Sequence, residues 1–99
     1  MGSTPAFISE LQQAANEVHQ LTDEEKRRLF DRAARTIEEM RGVIEASGKV
    51  VIAGQPRRVM PDLRALARSV DSVPEVLIAH WLYVAAEAID QLQAIAQGS

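Results

Sequence analysis

The chain has 99 residues, 46% of them hydrophobic and 25% charged, with a net charge of −3 and no cysteine. This is one domain of ordinary globular composition, able to bury a core without help from metal or disulfide, and it excludes a disulfide scaffold, a thiolate metal site and a cysteine nucleophile. The charge is uneven: residues 1–48 carry six basic and nine acidic side chains, residues 49–68 carry Lys49, Arg57, Arg58, Arg64 and Arg68 against Asp62 alone, and residues 69–99 carry four acidic and no basic ones.

The N-terminus, MGSTPAF, lacks the basic region and long apolar run of a signal peptide. Thr4 suits an N-cap and Pro5 a first helical position, and Phe7, Leu11, Ala14, Val18 and Leu21 recur three and four apart, so the spacing predicts a helix over 5–20 with residues 1–3 outside it. His19 falls in its last turn, where a histidine favours the negative end of the helix dipole.

Thr22-Asp23-Glu24-Glu25 is a capping box: the Thr22 hydroxyl and the Glu25 carboxylate can each satisfy a backbone N–H that has no helical partner. A second helix is therefore expected over 22–47, with Gly48 as its left-handed stop. Phe30, Ala33, Ile37, Met40 and Ile44 form its heptad-like seam, widened by Leu29 and Val43. Arg27, Arg28, Arg32 and Arg35 are interleaved with Glu24, Asp31 and Glu38, the pattern of a solvated face laced by i,i+4 pairs such as Glu24 with Arg28 and Asp31 with Arg35. Gly42 within this helix marks close backbone packing or a kink.

Residues 49–60 interrupt the pattern. Val50, Val51 and Ile52 are β-branched, Ala53-Gly54-Gln55-Pro56 has turn chemistry, and Arg57-Arg58-Val59-Met60 can return as a second strand, which predicts a short hairpin-like or irregular loop. Pro61 then opens a short helix over 61–70, with Leu63, Leu66, Ala67 and Val70 inward. Ser72-Val73-Pro74-Glu75 reads as a second capping box and starts a fourth helix over 73–97.

That last helix is unusually apolar. At 100° per residue, an arc of roughly 160° holds Leu77, Trp81, Val84, Ala88, Leu92 and Ile95 along with other apolar residues, while the two shorter helices can cover only part of a long pair formed by the second and fourth helices. The expectation is a homodimer whose interface contains those six residues, with Trp81 as either core or partner anchor. His80, Tyr83, Glu87 and Asp90 share another stripe of the same helix. Dinuclear carboxylate bundles need paired Glu-x-x-His motifs, and neither His19 nor His80 has a glutamate three positions upstream, so the stripe reads as a polar face and no cofactor or metal is implied. No Ser-centred elbow, zinc motif or phosphate-binding glycine loop is present.

The order of a short basic strand (Arg57-Arg58-Val59-Met60), Pro61-Asp62 opening a short helix, and a capped longer helix resembles the core of ribbon-helix-helix repressors over about a third of the chain. The resemblance implies a strand pair across a dimer that reads the major groove with Arg58 and Met60, or with Arg57 and Val59. The turn between the two helices lacks the usual glycine, and the chain is acidic.

The sequence thus predicts an all-α domain, single over residues 1–99. The function expected first is a non-enzymatic, cytoplasmic, bacterial regulatory module that homodimerises and binds another protein, without membrane insertion. The cationic patch Lys49, Arg57, Arg58, Arg64 and Arg68 can recruit an anion or pair with the chain's own acidic helices, and Arg57 and Arg58 are expected to engage carboxylates of those helices or of a partner. The alternative is a ribbon-helix-helix-like DNA-binding regulator using segment 49–68.

Overall fold

The computed structural model describes residues 4–46, 48 and 55–98, and in it four helices follow one another: α1 (Thr4–Asn16), α2 (Asp23–Ala46), α3 (Gln55–Arg68) and α4 (Glu75–Gly98). Single 3-10 turns at Val18–Gln20 and Val70–Ser72 join α1 to α2 and α3 to α4. The fold is all-α, and no strand occurs among the described residues.

The capping box forms as the sequence predicts. The Thr22 N–H donates to Glu25 Oε1 at 2.9 Å, and the Glu25 N–H donates to Thr22 Oγ1 at 3.1 Å, so α2 starts one residue later with two end donors satisfied. At its far end Gly48 has φ +82° and gives its N–H to the Glu45 carbonyl at 3.1 Å. A left-handed residue there stops the helix, and glycine adopts that conformation without a Cβ clash. Gly42 packs on nothing: a Cβ built there meets no heavy atom within 4 Å.

Three expectations need correction. The first helix is shorter than 5–20, because Glu17 leaves helical geometry at φ −117° and ψ 31° and the chain tightens into a 3-10 turn before α2. The third helix starts at Gln55 rather than Pro61, so Arg57-Arg58-Val59-Met60 is helical and not a strand; Pro56 takes the first-turn place that suits a proline. Residues 49–54 of the expected hairpin lie outside the described residues. Finally, the Ser72–Glu75 capping box does not form. The Ser72 hydroxyl donates to the Ser69 carbonyl instead, Pro74 offers its carbonyl to the N–H groups of Leu77 and Ile78, and the Glu75 carboxylate turns toward Lys26.

The helices alternate in direction. Arg27 Nε donates to the Ala67 carbonyl and Arg64 pairs with Glu38, which sets α3 antiparallel to α2; Arg32 pairs with Glu10, which sets α1 antiparallel to α2. Lys26 meets Glu75 at one end, and Met40, Val43 and Ala96 border one cleft at the other, so α2 and α4 run parallel. These two helices are 24 residues each, about 36 Å long, which accounts for the 40 Å long axis of the molecule. Helix α3 packs against both, while α1 lies chiefly on α4 and reaches α2 mainly through long side chains. Leu11, Phe30, Ile37, Leu63, Ile78, Leu82, Ile89 and Leu92 are fully buried between them, each contributing about 1.5–3 kcal/mol by leaving water.

Candidate functional site

Helix α4 is the most enclosed element, and its burial divides the six residues expected at an interface. Ala88 and Leu92 are fully buried in the subunit's own core; α1, α2 and α3 all pack on α4, so these two are corrected from interface to core. Leu77 is 46% exposed, and Trp81, Val84 and Ile95 are partly buried. On the helical projection Leu77, Trp81, Val84 and Ile95 fall along one edge, between the core arc and the solvated arc. Val76, 74% exposed, lies about 100° away on the solvated arc. What remains for a partner is a narrow apolar edge rather than the broad face that the sequence suggests.

The polar stripe of α4 lies on the opposite border. His80, Tyr83, Glu87 and Asp90 are all exposed. The Tyr83 hydroxyl donates to Asn16 Oδ1 and so fastens the end of α1 to α4, while the His80 ring meets Trp81 edge-on at 5.9 Å between centroids. Among the described residues no three His, Asp or Glu side chains gather in a way that could hold a metal ion.

Of the cationic patch, only the side chains of Arg64 and Arg68 are among the described residues. Arg64 Nη2 donates to Glu38 Oε2 at 2.8 Å, as the self-pairing expectation has it, and Arg68 is exposed without an ion pair to any described residue. Lys49 and the side chains of Arg57 and Arg58 lie outside the described residues. The strand that the ribbon-helix-helix resemblance requires is part of α3.

The arginines of α2 also depart from an intrahelical face. Of Arg27, Arg28, Arg32 and Arg35, only Arg28 pairs within the helix, on Glu24 at 3.0 Å, as Arg41 does with Glu45 further along. Arg27 crosses to the Ala67 carbonyl of α3, and Arg32 crosses to Glu10 of α1 at 2.9 Å with its guanidinium 4.4 Å from the centre of the Phe7 ring. Asp31 and Arg35 form no ion pair with each other.

Two features escaped the sequence reading. Lys26 is only 6% exposed, with its amine 3.8 Å from Asp23 and 3.9 Å from Glu75. A signal existed: Lys26 stands three, four and seven residues before Leu29, Phe30 and Ala33, on the apolar row. The second is an open groove between α1 and α2, bridged midway by Arg32 and Glu10. Its lining includes Glu25, whose carboxyl is held below the ordinary carboxylate value by the Thr22 N–H and hydroxyl, against a smaller opposing effect of desolvation and with Arg28 adding the least.

Comparison of the chain with protein-family models, with curated proteins and with solved structures found no significant match in any of the three. No described helix is long and apolar enough to cross a membrane.

Proposed function

We propose that this chain is a non-enzymatic interaction module of the cytoplasm that homodimerises along one edge of α4 and acts as a regulator by binding another protein. The observation that carries the reading is the apolar edge itself. Leu77, Trp81, Val84 and Ile95 remain partly accessible beside a row of α4 residues, among them Ala88 and Leu92, that the subunit's own core encloses. A second copy offers the same edge, so one self-complementary strip serves both subunits. With no lysine or arginine in 69–99, this helix offers a nucleic acid no cation to neutralise its phosphates.

Sedimentation equilibrium tests it. The wild type should run at about twice the chain mass of 10.9 kDa, and Leu77→Glu, placed on an exposed position, should return it to a folded monomer. A wild-type protein that stays at 10.9 kDa at tens of micromolar, on the order of ordinary weak interface affinities, defeats the proposal.

A further inference from the structure

Three depressions on the surface share residues end to end. Glu10 and Arg32 line both the first and the second, each about 340 Å³, and Glu39 and Met40 line both the second and a smaller third. Together they make one groove following α2 from Glu25 to Val43, about 27 Å at 1.5 Å per residue, with α1 and the turn after it as the other wall in the first two depressions and Ala96 of α4 in the third. Its apolar steps are Leu21 and Leu29 at one end and Met40 and Val43 at the other, with Val43 67% exposed.

The charge along this groove is one-sided. Glu10, Glu17, Glu25 and Glu39 line it against Arg28 and Arg32, and both arginines are already committed, to Glu24 and Glu10. Glu17 and Glu39 form no ion pair with any described residue. They leave uncompensated carboxylates toward both ends, Glu17 lining the same depression as Glu25 at one and Glu39 at the other; Glu25 and Glu39 are about 21 Å apart along α2, or about fourteen residues of a facing helix.

We propose that the α1–α2 groove seats an amphipathic helix of another protein, with apolar residues on either side of the Arg32–Glu10 bridge and basic residues about fourteen positions apart, facing the end that holds Glu17 and Glu25 and the end that holds Glu39. An open groove between two antiparallel helices is the seat that a third helix takes with its apolar face. A second copy of this chain is a poor occupant, since α4, its most apolar helix, carries Glu75, Glu87 and Asp90 and no basic residue. The inference rests on the protein-binding half of the function proposed above and is independent of the dimer edge, which lies on α4.

The test uses the full chain and three synthetic peptides of about eighteen residues: a lysine–leucine amphipathic helix, its glutamate–leucine counterpart, and the lysine–leucine composition scrambled so that no stripe forms. Amide chemical-shift titration should show micromolar binding of the first peptide alone, with shifts over residues 10–17 and 25–43. The double variant Glu17→Lys, Glu39→Lys should weaken it by about tenfold or more, whereas Glu87→Lys, Asp90→Lys, which changes net charge equally, should change it by less than about twofold. Equal binding of the scrambled peptide, equal loss in both double variants, or no binding of the striped basic peptide overturns the groove. Shifts confined to the α4 edge also overturn it while leaving the protein-binding reading in place.

Discussion

Replacing Gly42 by alanine should stabilise this protein, and the size of the gain follows from its surroundings. Gly42 lies within α2 on the solvated arc, is exposed, and has no heavy atom within 4 Å of the position that a Cβ takes. No packing cost therefore offsets the intrinsic helix preference, which favours alanine over glycine by about 0.8–1.0 kcal/mol. In a domain of this size that is roughly a fivefold gain in the folded-to-unfolded ratio and a rise in Tm of about 4–8 °C. The contrast is Gly48→Ala, where φ +82° forces the new side chain into the left-handed region at a cost of about 1–2 kcal/mol. Thermal and urea unfolding followed by far-UV circular dichroism would compare the two. An unchanged or lower Tm for Gly42→Ala refutes the argument. If that loss grew with protein concentration, it would mean that another molecule's backbone approaches Gly42.

Two further outcomes follow from the core and from the capping box. Ala88→Glu places an unpaired carboxylate at a fully buried position and should cost about 3–5 kcal/mol. Against a total stability of about 5–15 kcal/mol, that should give a sharply lowered urea midpoint in monomer and dimer alike; an unchanged midpoint would return Ala88 to the surface. Because the folded-state pKa of Glu25 lies below its ordinary value, the stabilisation from its charge is complete above the unfolded pKa and disappears as pH falls through the folded one. Wild type should therefore exceed Glu25→Gln in urea midpoint at neutral pH and converge with it in acid, and a constant gap across that range would contradict the assignment.

Helix ends were readable wherever local chemistry decides them. Thr22 and Glu25 satisfy each other's N–H groups within four residues, and Gly48 adopts a backbone conformation that other residues resist, so neither depends on distant contacts. Pro61 misled because a proline inside a helix cannot donate to the carbonyl four residues back and ordinarily costs about 3 kcal/mol. As an N1 residue it reads as a start, yet α3 continues back to Gln55, with its inner side held by α2 and α4. Glu75 has two partners available, a local serine and a distant lysine, and only the assembled fold shows that Lys26 prevails. The same holds for Ala88 and Leu92. Periodicity marks them as apolar without saying whether three helices of the same subunit or a second subunit covers them. Arg32 is the sharpest case, since no carboxylate stands three or four residues from it in the sequence, and its partners Phe7 and Glu10 lie on another helix.

The seating of α1 on α4 has a consequence for synthesis. Phe7, Ile8 and Leu11 are buried, but their main support leaves the ribosome last, ending with core residues Ile89 and Leu92. At about 5–20 residues per second, the intervening stretch of roughly 80 residues takes about 4–16 s to make. Throughout that interval the first helix has no helical surface on which to rest except α2, which it reaches mainly through long side chains. The apolar stripe of α1 is thus open to chaperones or to other nascent copies until the final turns of α4 emerge, and the domain closes when its first and last helices meet.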